Sequence, residues 1–355
     1  MKQVAVVGTQ GVPASYGGFE TLVENIIGEN CPSDIRYTIF CSSRDSAVRM
    51  ENYKGCRLKY IPLHANGMQS IPYDIWSLIR VIRGYDVILV LGTSGCSFLP
   101  VFRLFCRKRL IVNIDGLEHR RAKWGSLARR VLRFSEAMAV RFADVVIADN
   151  KGIQDYVHET YRKEAELIAY GGDHVYRDVP EEVQAKHLAT YGLTPGRYAI
   201  TVCRIEPENN CHVTLEAFAH SGKKLVFIGN WDRSAYGRDL KSRYRNDPDI
   251  LLLDAIYDLD ILYSLRANAG IYIHGHSAGG TNPSLVEAMF FGHPIIAYDV
   301  VYNRETTRNQ AYYFADAESL RKLLVRPDLD GDAMKRIAEE EYTWKHISSQ
   351  YCELY

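Results

Sequence analysis

Paired cysteines, long apolar runs and net charge are all missing from this chain. Its eight cysteines are scattered, with no CxxC pair and no spacing that would set out metal ligands. Reduced thiols in a cytoplasmic protein are the simplest reading, with no metal expected. No apolar run approaches the roughly 20 residues of a membrane span. The opening "MKQVAVVGTQ" is too short an apolar run for a signal peptide and reads as a strand that turns. Lys plus Arg number 43, as do Asp plus Glu. That balance argues against bulk electrostatic binding of nucleic acid but allows local patches. Internal repeats and low-complexity segments are also missing. What is present is an apolar share of 47% over 355 residues, enough for a large core and more length than one domain usually takes.

Short β-rich runs alternate with amphipathic stretches. Strands are expected at Lys2–Val7, Tyr37–Cys41, Leu58–Ile61, Val87–Leu91, Leu110–Asn113, Val145–Ala148 and Glu166–Ala169. A second set lies at Ala199–Cys203, Lys224–Ile228, Ile250–Leu253, Ala269–His274 and Pro294–Ala297. Helical patterns such as Phe19–Ile27, Ser126–Phe142, Val213–His220 and Ser284–Phe291 fall between them. Such alternation specifies parallel sheets covered by helices on both faces. The strands are too many for one open sheet of this length, so two doubly wound domains are expected. Their seam should lie near Ala169–Gln184, where glycines, a proline and charge replace the apolar rhythm. Ligands of such folds sit beyond the C-terminal strand ends, so two facing domains would make a central cleft.

Two glycine loops follow expected strands. The first, "GTQGVPASYGGFET", carries Gly8, Gly11, Gly17 and Gly18 before a helix. It is not GxGxxG and lacks the acidic residue that would follow in a dinucleotide site, so a nicotinamide cofactor is not expected. The second lies in "HGHSAGGTNPSLVEAMFFGHP". Asn282 can cap its helix, Pro283 suits the first helical position, and Gly292 with Pro294 ends it. Loops of this kind present backbone N–H groups to an anion, although a tight turn in an ordinary α/β domain has the same pattern. Arg204 closes another expected strand, where its guanidinium could clamp a phosphate or pair with Glu206 or Glu208.

"RIEPENN" (Arg204–Asn210), "HGHSAGGTNPSLVEAMFFGHPIIAYD" (His274–Asp299) and "VGTQGVPASYGGFETLVE" (Val7–Glu24) resemble family 4 glycosyltransferases. The resemblance is to the bacterial rhamnosyltransferase-like subgroup of surface-polysaccharide assembly and runs over nearly the whole chain. It implies a GT-B fold of two Rossmann-like domains. Residues 1–170 would form an acceptor-binding domain and 171–341 a nucleotide-sugar domain, with 342–355 a helix that crosses back. It also implies retention of anomeric configuration, no metal and no cofactor, the nucleoside-diphosphate sugar being a substrate. On this resemblance Glu287 meets the donor ribose and Gly279, Gly280 and Thr281 face phosphate, with Asn282 and Ser284 beside them. Arg204 meets the diphosphate, and Gly11, Gly17 and Gly18 form a diphosphate or acceptor loop. The best donor is dTDP-rhamnose, and the acceptor is a saccharide or a lipid-linked saccharide.

The chain departs from that family twice. Gly279 stands where a paired Glu is usual, removing a side chain that would touch the transferred sugar. Asn209 stands where a Lys usually joins the arginine, halving the cationic clamp, so loop amides would carry more of the phosphate charge. Glu287 is flanked by Leu285, Val286, Ala288 and Met289, so its surroundings should be dry. A charged acceptor there without a partner is costly, which points to a ligand that fills the place.

Asp115, in "NIDGLEHRRAKWG", follows a strand and is assigned with Arg204 to the catalytic set, positioning sugar or acceptor. Capping of the next turn is the alternative. From Arg103 to Arg133 there are ten Lys or Arg against Asp115 and Glu118, with Trp124, Leu127, Val131, Leu132 and Phe134 interleaved. The stretch reads either as a solvated helix face or as a basic membrane face of Arg120, Arg121, Arg129 and Arg130 on anionic lipid at the inner surface of the plasma membrane. No nucleic-acid module is recognisable. Two rival functions remain at this level: a nucleotide-sugar epimerase, for which no convincing acid–base set can be placed, and a nucleotide-sugar-binding protein without catalysis.

Overall fold

The computed structural model describes residues 1–14, 17–28, 32–46, 48–120 and 125–355, the side chain of Arg120 excepted. The chain divides into two compact units, Met1–Tyr170 with Trp344–Tyr355, and Gly171–Thr343.

The first unit is built on β1 (Lys2–Val7), β2 (Ile35–Ser42), β3 (Asn52–Tyr53), β4 (Cys56–Ile61), β5 (Val87–Leu91), β6 (Arg109–Asn113), β7 (Val145–Ala148) and β8 (Glu166–Leu167). They form one sheet in the order β3-β4-β2-β1-β5-β6-β7-β8. All neighbours run parallel except β3 and β4. Val4 to Val7 are fully buried, as an unbroken apolar run in a central parallel strand must be. The strand order reverses beside β1, with β2 on one side and β5 on the other, and such a switch point opens a crevice at the C-terminal strand ends. Helices α1 (Gly18–Ile26), α2 (Ser70–Arg80), α3 (Leu99–Phe105), α4 (Ser126–Phe142) and α5 (Lys151–Tyr161) connect the strands.

The second unit has β9 (Tyr198–Val202), β10 (Lys224–Ile228), β11 (Ile250–Leu253), β12 (Ile271–His274), β13 (Ile295–Tyr298) and β14 (Tyr312–Phe314), in the order β11-β10-β9-β12-β13-β14. Every pairing is parallel. Its switch point lies between β9 and β12. The helices are α6 (Glu181–Thr190), α7 (Cys211–Phe218), α8 (Ala235–Tyr244), α9 (Leu259–Ala267), α10 (Pro283–Met289), α11 (Val301–Thr306), α12 (Ala317–Leu324) and α13 (Asp332–Glu341).

The last helix, α14 (Trp344–Glu353), belongs to the first unit. Trp344, Ile347 and Tyr351 join the core formed by Val23, Ile26 and the strands. Burying side chains of this size stabilises by on the order of 1.5–3 kcal/mol each. Asn113, at the end of β6, donates its Nδ2 to the Tyr351 hydroxyl at 2.8 Å, and Lys2 donates its Nζ to the Tyr355 carbonyl at 2.5 Å.

Two strands lie outside the expected set, β3 and β14. Each has two or three residues, too few for a periodic signal. A two-residue turn with Lys54 and Gly55 both at positive φ holds β3 against β4, the geometry that matches the twist of a hairpin. Among the described residues no helix is long and apolar enough to cross a membrane.

Candidate functional site

In the second unit the β9 and β12 strands are neighbours, so the loops that leave their C-terminal ends meet at the switch point. The first carries Arg204–Asn210 and the second Gly275–Asn282. They are stitched together. Ser277 donates its N–H and its hydroxyl to the Glu208 carbonyl at 2.8 and 2.9 Å, and Asn210 donates its Nδ2 to the Gly275 carbonyl at 2.8 Å. A Cβ on Gly275 would stand 2.1 Å from the Asn209 carbonyl oxygen, so only glycine allows this approach. Asn210 takes the left-handed conformation, φ 46°, that asparagine tolerates better than most residues.

Asn209, the departure from the family lysine, is buried in this seam. Its Nδ2 donates to the Arg204 carbonyl at 2.7 Å and its Oδ1 lies 2.7 Å from Nδ1 of His276. A lysine in the same place would need its ammonium desolvated or turned out. Asparagine thus ties down the backbone of Arg204. The Arg204 side chain is exposed, and among the described residues no carboxylate lies within ion-pair distance of it, so the alternative of a pair with Glu206 or Glu208 does not hold. Gly279, the other departure, has φ 98°, where an L side chain would be strained.

The helix that follows is α10. Asn282 caps it, its Oδ1 accepting from the Ser284 N–H at 3.0 Å, and Pro283 occupies the first helical position. Gly280 and Ser284 are half-buried and Thr281 is buried. Glu287 is held from two sides. Arg266, buried at the end of α9, donates its Nη2 to Oε2 at 2.7 Å, and Nε2 of His174 stands 3.5 Å from Oε1. This corrects the expectation of a carboxylate left without a partner: Glu287 has its counter-ion inside the unit, so its burial does not by itself call for a ligand. Burial pushes its carboxyl up, but the charge of Arg266 and the contact with His174 outweigh that and bring it down to about 2. Glu287 is therefore ionised at any ordinary pH. Nε of Arg266 is buried without a partner of its own among the described residues. Arg266 and His174 escaped the sequence reading. They lie 21 and 113 residues before Glu287, outside any helical spacing, and a basic residue in the last turn of a helix reads as an ordinary complement to the dipole. His274, buried in β12, is pushed down to about 3 by desolvation and is neutral.

In the first unit the loop after β1 turns on Gly8, whose Cβ would stand 2.1 Å from the Leu91 carbonyl oxygen. Gly11 is buried under Cys41 with φ 124°. Gly17 precedes α1 and Gly18 begins it. Glu20, from the same "YGGFE" stretch, folds back under this loop. Its Oε1 accepts from the Thr9 hydroxyl at 2.9 Å and from the Gln10 N–H at 2.7 Å. Ala14 N–H donates to Glu24 Oε2 at 3.1 Å and Gly11 N–H to the Thr9 hydroxyl at 3.3 Å. Three amides of the loop therefore serve the chain's own groups, which narrows the surface it offers to an anion. A Cβ on Gly17 would stand 2.2 Å from Glu20 Oε2, and its φ of 109° is one that L side chains rarely adopt. Burial raises the Glu20 carboxyl, its hydrogen bonds with Gln10 and Thr9 oppose this, and the charge of Asp115 adds to the rise.

Asp115 is half-buried just past β6 with φ 59°. Its N–H donates to Asn113 Oδ1 at 3.0 Å. A left-handed non-glycine residue at a strand end carries strain that the surrounding fold must hold. The structure brings Asp115 near Glu20 at the C-terminal edge of the first sheet. Arg129 and Arg130 lie exposed on α4. Arg121 and the Arg120 side chain lie outside the described residues. Among the described residues no group of three or more His, Cys, Asp or Glu is placed to hold a metal ion.

Residues 1–173 match the profile of a domain of unknown function, DUF1972, and residues 186–339 match glycosyl transferases group 1. No curated protein matches the chain. Among solved structures, sucrose-phosphate synthase from Thermosynechococcus elongatus is similar with a TM-score of 0.82 at 17% identity, over 100% of this chain and 98% of that one. HepE of Anabaena in complex with UDP gives 0.75 at 14%, over 99% of each. The UDP-forming trehalose-phosphate synthase of Burkholderia xenovorans in complex with glucose-6-phosphate gives 0.72 at 13%, again over 99% of each. Residues 186–339 of the second unit are thus similar to glycosyl transferases group 1, on a chain whose fold is that of the GT-B glycosyltransferases.

Proposed function

We propose that this protein is a retaining glycosyltransferase that moves a sugar from a nucleoside-diphosphate donor to a saccharide acceptor, without a metal. The observation that carries the reading is the switch point of the second unit. It combines an exposed Arg204 with no carboxylate partner among the described residues, a glycine loop at Gly279–Thr281, and a Glu287 kept ionised by Arg266. A diphosphate suits the first two, since a guanidinium and backbone amides stabilise its oxygens. A ribose hydroxyl suits the third, because an ionised carboxylate is a strong acceptor. Asn282 and Ser284 belong to the same donor set. That HepE, a protein of the same fold, was solved in complex with UDP supports a nucleoside diphosphate as the ligand class.

The chemistry breaks the bond between the anomeric carbon and the diphosphate oxygen and forms one to the acceptor oxygen on the same face. The acceptor proton passes to the departing diphosphate oxygen, whose charge Arg204 stabilises. Asp115, just past β6, orients the acceptor hydroxyl or the sugar, and the loop after β1 with Gly11, Gly17 and Gly18 contributes to the same acceptor or diphosphate site. The resemblance to rhamnosyltransferase-like enzymes favours dTDP-rhamnose and a lipid-linked acceptor on the cytoplasmic side of a surface-polysaccharide pathway. The test is incubation of the protein with dTDP-, UDP- and GDP-sugars, with and without a lipid-linked saccharide and with a chelator present. Free nucleoside diphosphate with an elongated acceptor of unchanged anomeric configuration is expected. An altered sugar still on its nucleotide, or binding of every donor without turnover, would overturn the reading.

A further inference from the structure

The first unit exposes two apolar stripes that its core does not use. On α3 they are Val101, Leu104 and Phe105, at helical spacing, with Leu104 77% and Phe105 69% exposed. On α4 they are Leu127, Val131 and Phe134, again at helical spacing, with Leu127 75% and Phe134 53% exposed. The two helices are locked side by side. Arg103 of α3 donates from Nε and Nη2 to the Phe142 carbonyl at the end of α4, at 2.9 and 2.8 Å, and the Ser97 N–H donates to Ser135 Oγ at 2.9 Å. The inner face of α4 is separately satisfied by Leu132, Ser135, Ala139 and Val140, all buried. The outer stripes are therefore surplus to folding.

Charge on this face has one sign. Arg129, Arg130, Arg133 and Arg141 are exposed on α4, and none has an acidic partner among the described residues. The one acid of α4, Glu136, is turned inward, where it meets Nδ1 of His119 at 2.9 Å and the hydroxyls of Tyr156 and Tyr161 at 2.7 Å each. Asp144, just before β7, is taken by Arg103 at 2.8 Å.

We propose that the α3–α4 face binds an anionic lipid bilayer, with its apolar stripes entering the boundary between headgroups and acyl chains and its arginines on the phosphates. Arginines beside exposed Leu and Phe suit an interfacial helix, which needs apolar burial and anionic attraction together. Nucleic acid would satisfy the arginines and leave six apolar side chains in water. A second copy across a two-fold axis would set each arginine row against its twin. The proposal goes beyond sugar transfer and depends on no step of it.

The experiment is co-sedimentation of the whole protein with phosphatidylcholine vesicles, with and without phosphatidylglycerol. Binding is expected to be much stronger with the anionic lipid, the remainder on phosphatidylcholine alone being apolar insertion. Each arginine near such a surface is worth a factor of about five, so Arg129→Gln, Arg130→Gln and Arg133→Gln together should lower partition roughly a hundredfold. Leu104→Ser with Phe105→Ser should abolish the binding that survives high salt, because apolar insertion is not screened. Phe105→Trp in an otherwise intact chain should show a blue-shifted indole emission on adding anionic vesicles, which settles insertion even if the serine variant fails to fold. Absent binding, binding that both variants leave unchanged, or an indole emission that does not move in the Phe105→Trp variant would overturn the proposal. So would a dimer in sedimentation velocity that Leu104→Ser with Phe105→Ser splits to monomers, since that assigns the face to a second copy.

Discussion

Glu287 in the second unit and Asp74 and Glu20 in the first are all largely shielded from solvent, yet the two units treat their carboxyls in opposite ways. Glu287 has the guanidinium of Arg266 at 2.7 Å and sits at about 2. Asp74 on α2 has no cation beside it among the described residues. Burial pushes it up to about 8, opposed only by a hydrogen bond from the Gly95 backbone. Glu20 has hydrogen bonds but no counter-ion among those residues and is also raised. Desolvation acts on all three, and whether a buried acid is charged depends on the cation next to it. A related contrast holds at the surface. The second unit pairs much of its surface charge, as in Arg304 with Asp299 at 2.6 Å, whereas the arginines of α4 have no acidic partner among the described residues and lie beside exposed Leu and Phe.

The largest expected effect comes from breaking the buried pair. Arg266→Ala leaves Glu287 buried without its cation and should cost about 3–5 kcal/mol of stability. Glu287→Gln added to that variant should recover part of the loss, because the stranded charge is gone; urea melts of both variants would check this. If Arg266→Ala and the double variant melt alike, the pair is not what holds Glu287. The sign of the pH dependence follows. The carboxyl of Glu287 is depressed on folding, so its contribution is full above the ordinary value of 4.5 and is lost as pH falls toward 2.

Next in size is Arg204→Ala. Its guanidinium serves no ion pair among the described residues, so melting should be unchanged. Loss of a charge-assisted contact with the donor diphosphate should weaken kcat/KM by the equivalent of about 1.5–3 kcal/mol. Steady-state kinetics with the preferred donor beside a thermal melt would show it, and unchanged kinetics would remove Arg204 from the site.

The smallest effect sharpens the comparison from the other side. Asp74 is raised on folding, so the stability tied to its protonated form is full below 3.8 and is lost as pH rises toward about 8. Asp74→Asn should raise Tm at pH 8 by roughly 2–4 °C, on the order of 1 kcal/mol, with no gain near pH 4. A melt series across that range tests it, and a gain that does not vary with pH would place the effect elsewhere than in ionisation.

Much of the fold was legible because parallel strands buried on both faces are continuous apolar runs, and the runs at Lys2–Val7, Val87–Leu91 and Lys224–Ile228 coincide with strands residue for residue. The start of α10 was legible as well, since Asn282 and Pro283 act through local backbone chemistry, whereas the helix ends at Met289, short of the expected Phe291. The short edge strands β3 and β14 were not, because their neighbours hold them rather than any pattern of their own. Asn209 shows the same limit at the site. Along the chain it is a missing cation, and in the fold it is a buried tie between two loops.

What the sequence by itself determined is therefore what depends on near neighbours along the chain: strand runs, helix caps, the glycine loops and the basic stretch around α4. Only the tertiary structure decided which groups meet. It set Arg266 against Glu287, folded Glu20 under its own loop, and left Leu104, Phe105, Leu127 and Phe134 facing out. The physical reason is range. Capping and periodicity act within a turn or two, whereas a buried charge finds its partner through the order of strands, and the partner fixes whether it is a charge at all.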